Sequence, residues 1–299
     1  MALDRSAVLV SAFLTAAVPA AQAQTPPQDE AKRPDDGRDI VVTGKRRGAN
    51  ETTNEIRAIS DMQEGQLPRF ETPICPVAIG MPRPHGVIIE TRVRQVAGRL
   101  KLRVDKAGCK PNLTIVMAEN GTAFVNALRR KRPTLFDTMP LHDRMRLLAS
   151  AGPSWTWQST APKRRDGGPV AGADMPGSRS AYTVLNAEMS RLSVPVRQEV
   201  DLAFVVIDRR KSVGLTLGQI ADYAAMVGLA AIRTDRPAQL GRSSILTMFD
   251  DVGAGQAAQP EMTGFDLAYL GGLYSGQSGF SGDRKAALMA QRIDRDEKP

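Results

Sequence analysis

The feature that most constrains the fold is an apolar run near the middle of the chain, Val200–Ile207 (VDLAFVVI), in which seven of eight residues are apolar. β-branched and aromatic residues dominate this run, and an acidic residue stands on each side of it. A run of this length and composition is typical of a strand in the centre of a sheet. We therefore predict a central strand over Arg197–Asp208.

The rest of the chain mixes strand-like and helix-like patterns, with strands first and helices last. Alternating or continuous apolar residues predict strands over 100–104, 113–118, 155–159 and 181–187. Apolar residues at helical spacing predict helices over 87–98, 123–132, 141–150, 216–231, 264–274 and 283–293. A Gly-, Pro- and Arg-rich loop is expected over 162–180. This order favours an α+β fold, a mixed sheet with packed helices, over regular βαβ alternation.

The N-terminus has the pattern of a secretory signal peptide. An apolar stretch over Ser6–Ala21 is followed by an A-x-A cleavage site at Ala21-Gln22-Ala23. We expect cleavage after Ala23, which leaves a mature chain that begins at Gln24 and is periplasmic or secreted. A buried N-terminal helix is the alternative interpretation. The stretch is too short for a membrane-spanning helix.

The chain has two cysteines, Cys75 and Cys109. In an exported protein the compartment is oxidising, so we expect a disulfide between them. Two buried thiols are the alternative. A zinc site is not indicated, because two cysteines 34 positions apart without a histidine cluster lack the spacing of zinc ligands.

The composition divides the chain into a signal peptide over 1–23, a disordered tail over 24–70 and one α+β domain over 71–299. Within the tail, the stretch Thr25–Arg38 (TPPQDEAKRPDDGR) combines three prolines with mixed charge and shows no periodic apolar pattern. Such a stretch has too little apolar surface to fold by itself.

One apolar island interrupts this tail. In Asp39–Arg47 (DIVVTGKRR), β-branched residues stand between an acidic and a basic flank. The segment resembles the TonB box of outer-membrane TonB-dependent receptors, in which an extended peptide adds as a strand to the periplasmic domain of TonB. The resemblance implies a TonB-type energy-transducing protein as a partner, contacted through Ile40, Val41, Val42 and Thr43. The alternative is an adhesive apolar segment within a linker.

A second resemblance begins at the central strand. The strand is followed by Asp208, a basic turn and an amphipathic helix, then by Ser244–Phe249 (SILTMF) and Met262–Tyr274 (MTGFDLAYLGGLY). This order resembles the metzincin type of zincin metalloproteases, whose H-E-x-x-H-x-x-G-L motif ends the active-site helix before a serine-and-methionine turn. The resemblance implies a zincin-like fold over roughly 200–274.

The residues at the matching ligand positions cannot bind zinc. With Gly228 on the family's glycine, Ala221 and Ala225 stand at the two histidine positions and Asp222 at the catalytic glutamate. Alanine has no donor atom, whereas catalytic zinc needs about three protein ligands and an open position. The resemblance therefore implies a zincin-like fold without its metal, with Ala231 at the third ligand position. A core-facing helix is the alternative interpretation.

The two histidines of the chain give no replacement for these ligands. His85 lies in a proline-rich helix entry and His142 near a helix start, so each is interpreted as a surface or capping residue. We expect no catalytic residue, no cofactor and no metal site. The alternative function is a hydrolase related to the zincin peptidases, with a carboxylate site built from Asp208, Asp222 or Asp266.

The chain is basic, with a formal net charge of +8 and a pI near 9.8. The charge is concentrated in four clusters, over 45–47, 129–132, 163–165 and 209–211. For an exported protein the natural polyanions are lipid headgroups, lipopolysaccharide phosphates and acidic cell-wall polymers. Nucleic acid is not expected, because no aromatic residues interleave with the clusters. Solvated loop charge that keeps the protein soluble is the alternative.

Together these patterns predict an exported, non-enzymatic protein that works as a binding or interaction module of the cell envelope. The tail is expected to contact envelope machinery. The basic loops are expected to contact an anionic envelope surface.

Overall fold

The computed structural model describes residues 49–170, 194–234 and 240–296. Within them, four strands form one sheet in the order β1-β2-β4-β3, namely β1 Pro76–Ile79, β2 Leu113–Ala118, β3 Ser154–Arg164 and β4 Val196–Asp208. β1, β2 and β4 are parallel, and β3 runs antiparallel to β4 at one end of this order. The sheet is mixed, which confirms the predicted α+β class. The signal peptide, the segment 39–47 and the strand predicted over 181–187 lie outside the described residues.

Eight helices pack around the sheet in the described part of the chain. They are α1 Ala49–Ile59, α2 Arg83–Arg99, α3 Gly121–Lys131, α4 Leu141–Ala149, α5 Leu217–Leu229, α6 Met248–Gly253, α7 Gly264–Tyr274 and α8 Gly282–Asp296. Each helix predicted from apolar spacing is present close to its expected bounds. The apolar faces of these helices are therefore strong enough to be recognised locally.

Both faces of the sheet are covered, which explains why the central strand β4 is apolar at every position from Leu202 to Ile207. Val205 and Ile207 belong to a large core that also contains side chains of α2, α5, α7 and α8. Val206, which lies between these two residues in the strand, belongs to a smaller core on the other face, together with Trp155 and Trp157 of β3. Successive side chains of a strand point to opposite faces, so a strand that is buried on both faces is apolar at every position.

Helix α5 is fixed at its start and packs directly on the sheet. Thr216 caps its N-terminus, where the side-chain oxygen accepts a hydrogen bond from Gln219 N at 3.2 Å in a capping box. Near its other end, a Cβ on Gly228 would stand 2.7 Å from a methyl carbon of Leu113. The missing side chain lets the helix approach β2 and β4 closely.

The folded region begins earlier than the predicted boundary at residue 71. Ile56 and Ile59 of α1 are buried in the larger core. The Ser60 Oγ lies 2.7 Å from Tyr269 OH in a buried hydrogen bond to α7. The prediction of a disordered tail is therefore wrong for residues 49–70. Most residues of α1 are polar, so its few apolar residues form too weak a pattern to indicate a buried helix.

The strand predicted over 100–104 is also wrong. After α2, Lys101 adopts a left-handed backbone conformation with a φ of 60°, and Leu102 N donates to Ala97 O at 3.0 Å. This turn places Leu100 and Leu102 against the larger core, so their alternation reflects a turn over the core rather than a pleated strand. The strand next to β2 is instead β1, whose four residues are too short to show a period.

The predicted disulfide is present. Cys75 and Cys109 are bonded, with their Cα atoms 6.1 Å apart. Cys75 precedes β1, and Cys109 lies in the loop before β2, so the bond joins the starts of two neighbouring strands. Asn112 reinforces this junction, because its Oδ1 accepts a hydrogen bond from Cys75 N at 2.7 Å.

Candidate functional site

The zincin-like positions of α5 lie inside the protein. Ala221 and Ala225 have no exposed surface, so they offer neither a donor atom nor an open coordination position. Across the described residues, no group of three or more histidine, cysteine, aspartate or glutamate side chains could hold a metal ion. His85 is exposed at the start of α2. His142, at the start of α4, has its Nε2 3.0 Å from Asp143 Oδ1.

Asp222, which the resemblance sets at the catalytic glutamate of the zincins, connects three segments of the core. Its carboxylate is 1% exposed and accepts from Arg92 Nε at 2.6 Å and from Arg92 Nη2 at 2.9 Å. It also accepts from Met262 N at 3.0 Å. Because Arg92 belongs to α2 and Met262 precedes α7, the carboxylate ties α5 to both of them.

Asp266 and Asp208 hold two other junctions. Asp266 is completely buried and accepts from Ser244 Oγ at 2.5 Å and from Ile245 N at 2.9 Å, which fixes the turn before α6. Burial raises the pKa of Asp266, and these hydrogen bonds act against the rise. At the end of β4, the guanidinium of Arg210 and backbone amides lower the pKa of Asp208 to about 2. The acids of the hydrolase alternative therefore hold separate junctions of the fold.

A groove lies beside β3, between that strand, α4 and a short two-stranded ribbon. The ribbon forms where Asp61 N donates to Ala231 O and Arg233 N donates to Ile59 O, both at 2.8 Å. It brings residues from before β1 and after α5 to the same place. The side chains that the groove presents include Asp61, Asp143, Thr156, Trp157, Gln158 and Arg233.

Three polar atoms in this groove are buried and have no hydrogen-bond partner among the described residues: Thr156 Oγ1, Gln158 Oε1 and Arg233 Nε. The Arg233 Nε lies 3.8 Å from Asp61 Oδ1, a distance that suits an ion pair but is too long for a hydrogen bond. The other end of the Gln158 amide is engaged, because its Nε2 donates to Gly228 O at 3.4 Å. An unpaired buried polar atom costs about 1–3 kcal/mol, so a partner from outside the chain, a water or a ligand, would stabilise each of the three.

One wall of the groove is a rigid aromatic stack. The ring of Trp157 stacks between Phe136 and Phe204, with centroid distances of 5.0 and 4.8 Å. Its Nε1 donates to Leu135 O at 3.2 Å. The indole is thus held in one orientation, and because Trp157 is only 4% exposed, it supports this wall of the groove from within.

The groove continues along β3 into a second cavity of about 250 Å³. The two cavities share the carboxylates of Asp61 and Asp143 and the guanidinium of Arg233. Together they follow β3 over Thr156–Pro162, a length of about 20 Å at the rise of an extended strand. This length suits a ligand that is itself extended.

The sequence contained one signal for the groove. In β3, Thr156 and Gln158 alternate with Trp155 and Trp157, although β3 packs beside a strand whose two faces are both covered. Polar residues on a covered face of a strand indicate either a hydrogen-bond network or a site. Of the zincin-like positions, Ala231 lies in the lining of the groove.

The basic clusters differ in how their charges are balanced. In 209–211, Arg209 pairs with Glu119 and Arg210 with Asp208. In 163–165, Arg164 Nη2 lies 2.7 Å from Asp166 Oδ2. Residues 129–132, at the end of α3, are exposed and make no ion pair with any described residue. The end of α3 is therefore the most available cationic surface of the described clusters.

Comparison of the chain with family models, curated proteins and solved structures finds no match. Within the described ranges, no helix is long and apolar enough to cross a membrane.

Proposed function

We propose that this chain is an exported, non-enzymatic binding module of the cell envelope, and that the groove beside β3 binds an extended peptide. The observation that carries this proposal is the set of unpaired buried atoms, Thr156 Oγ1, Gln158 Oε1 and Arg233 Nε. The set contains an acceptor, a donor and a hydroxyl that can act as either. A ligand that satisfies all three must itself offer both donors and acceptors.

The main chain of an extended peptide offers both groups at every residue. Its N–H groups suit the Gln158 Oε1, and its carbonyl oxygens suit the Nε–H of Arg233. The strand β3 lies at one end of the sheet order, and its ladder among the described residues is with β4. A peptide laid along β3 would thus use the mode of recognition in which a strand adds to a sheet edge.

The side chains that line the groove suit an extended peptide with both apolar and polar residues. The partly exposed Met139 lines the groove beside the buried Leu147 and Trp157, and it offers an apolar contact for one ligand side chain. Asp61 and Asp143 offer carboxylates farther along, where the two cavities meet. Main-chain contacts then supply affinity, and these pockets supply specificity.

Two features support the related proposal that the domain is a metal-free relative of the zincin fold. The elements β4, α5, the helix α6 with the buried Met248 at its start, and α7 follow one another along the chain, and the resemblance implies a similar order. Ala221 and Ala225 carry no ligating atoms. The hydrolase alternative has no comparable support, because its three candidate acids each hold a structural junction.

Two further contacts belong to the proposal. The segment Ile40–Thr43 would pair as an extended strand with a TonB-type protein. The exposed basic end of α3, residues 129–132, would meet an anionic envelope surface. The disulfide between Cys75 and Cys109 supports export, because such bonds persist in oxidising compartments.

The test uses the disulfide-bonded chain from Gln24 onward and a fluorescent positional-scanning library of capped octapeptides. We expect saturable binding of a subset of peptides, followed by fluorescence polarisation. Thr156→Val keeps the shape of the side chain and removes Oγ1, so it should weaken binding about five- to tenfold. Thr114→Val makes the same change on β2, away from the groove, and should bind like the wild type.

The outcomes separate the alternatives. Absence of binding in every sub-library, or equal affinity of the wild type and Thr156→Val, would contradict the peptide groove. Mass spectrometry of the incubated peptides supplies the second arm. Reproducible cleavage that is lost in Asp208→Asn, Asp222→Asn or Asp266→Asn would favour the hydrolase alternative.

A further inference from the structure

A second groove, separate from the one beside β3, has a volume of about 600 Å³. It lies between the turn after α2, the outer face of α7 and the end of α8. Its apolar lining comes from Leu100, Leu102, Leu267 and Ala268. The volume falls within the range of about 300–1,000 Å³ that is usual for small-molecule sites.

Cations dominate the rim of this groove. Arg99 and Lys101 flank Leu100 on the turn after α2, and Arg292 projects from α8. One carboxylate, that of Asp296, also lines the groove, with its Oδ2 3.8 Å from Arg292 Nε. Neither Arg99 nor Lys101 forms an ion pair with a described residue. The lining therefore combines an apolar floor with an excess of positive charge, which complements a ligand that is both apolar and acidic.

Lys101 occupies a backbone conformation that favours glycine. Its φ is 60°, its N–H donates to Gly98 O at 2.9 Å, and Leu102 N donates to Ala97 O at 3.0 Å. These are the two hydrogen bonds of a Schellman helix end, whose left-handed position usually holds glycine. A lysine is less stable than glycine in this conformation. The helix end does not require the side chain, so the groove is the better explanation for the lysine.

Two glycines keep the outer face of α7 open. A Cβ on Gly264 would meet nothing within 4 Å, and a Cβ on Gly271 would meet the end of the Arg292 side chain at 3.3 Å. Glycine is unfavourable inside a helix, where Gly271 lies, whereas Gly264 is the first residue of α7. At these positions the missing side chains leave room that a larger residue would fill.

We infer that this groove binds a fatty acid, with the acyl chain on the leucine floor and the carboxylate among Arg99, Lys101 and Arg292. Charge complementarity selects an anionic head group. The volume suits a single acyl chain that lies along the open groove better than a helix, which would rest on a wider surface. This inference is independent of the peptide groove, because the two sites share no lining residue.

The experiment titrates the disulfide-bonded chain with 11-(dansylamino)undecanoic acid, a fluorescent fatty acid, below its micelle concentration. We expect saturable enhancement of fluorescence, reversed by laurate but not by dodecyltrimethylammonium, which has the same chain length and the opposite charge. Lys101→Gly should weaken binding at least about fivefold while it raises the unfolding temperature by about 2–4 °C. Gly271→Leu should block the probe, because its side chain enters the groove.

Arg295→Ala is the matched control, since it removes an exposed cation of α8 that does not line the groove. It should leave the affinity unchanged. Failure of the probe to saturate would overturn the inference. So would an unchanged affinity in Lys101→Gly despite the higher unfolding temperature, because the lysine would then be merely tolerated. Displacement by an acidic amphipathic helical peptide at lower concentration than laurate would assign the groove to a protein partner instead.

Discussion

Buried polar groups in the α5–α7 region and in the groove beside β3 have opposite environments. The carboxylates of Asp222 and Asp266 are surrounded by donors at 2.5–3.0 Å. In the groove, Thr156 Oγ1, Gln158 Oε1 and Arg233 Nε have no hydrogen-bond partner in the described part of the chain. Because an unpaired buried polar group lowers stability, the first set stabilises the fold, and the second set is open to a partner from outside the chain. Under our proposal, the α5–α7 region is the scaffold and the groove beside β3 is the site.

A large effect should come from removing a paired acid. Asp222→Ala removes the acceptor of the Met262 backbone N–H and leaves Arg92 with the exposed Glu261 as its ion-pair partner, so it should lower the free energy of unfolding by about 2–4 kcal/mol. Urea denaturation measures this change. The control is Asp283→Ala, because Asp283 pairs with Arg57 while 74% of its side chain is exposed; its effect should stay below about 1 kcal/mol. A similarly small effect for Asp222→Ala would reopen a catalytic role for this acid.

The disulfide should stabilise the scaffold without shaping the groove. Its sequence separation of 34 residues gives a loop-closure contribution of about 3.8 kcal/mol in the chain-entropy model. Cys75→Ser/Cys109→Ser should therefore unfold at much lower urea concentration. At a temperature where the variant is still folded, its peptide affinity should match the wild type, because the bond lies beside β1 and the groove beside β3. A loss of peptide affinity under those conditions would show that the disulfide also shapes the groove, which would contradict the prediction.

Acid should selectively weaken the junction that Asp208 holds. The pKa of Asp208 is lowered from 3.8 to about 2, so its contribution is fully present above about pH 5 and is lost as the pH falls towards 2. The size of that contribution is about 2 kcal/mol. Asp208→Asn should lack this share of the pH dependence when unfolding free energies are compared across the same range. Parallel pH profiles of the two proteins would contradict the assignment.

The smallest effect on stability should come from the groove itself. Thr156→Val removes an atom that has no partner, so the free energy of unfolding should change by less than about 0.5 kcal/mol or rise slightly. Urea denaturation of this variant alongside Thr114→Val provides the measurement. A destabilisation as large as that of Asp222→Ala would show that the Thr156 hydroxyl supports the fold, and the contrast between the two regions would disappear.

Much of the fold could be predicted from the sequence because its signals are local. The run at 200–207 indicated a central strand, since burial on both faces makes every position apolar. Helix α7 was predicted with its observed bounds, because Thr263 and Asp266 form a capping box at its start. Helix α1 was missed because it is held by long-range packing against α8, whose effect is invisible in a mostly polar segment.

The candidate site could not be predicted in the same way. The groove combines Asp61, Asp143, Thr156, Gln158 and Arg233, which come from four separate segments of the chain. Their convergence depends on the ribbon between residues 59–61 and 231–233, a tertiary pairing without a sequence motif. The motif that did stand out, on α5, marks the scaffold, and the segment 39–44 stays a prediction of partner binding.

The most direct test of the peptide groove is a backbone N-methylation scan of the best-binding octapeptide, measured by fluorescence polarisation. If main-chain groups are recognised, methylation of one or two particular N–H groups should weaken binding about tenfold, and side-chain identity at those residues should matter less. In Gln158→Met, which lacks the acceptor Oε1, methylation at one of these positions should have almost no further effect. Uniformly small losses along the peptide, or the same tenfold loss in Gln158→Met, would contradict the proposal that Gln158 receives a peptide N–H in this groove.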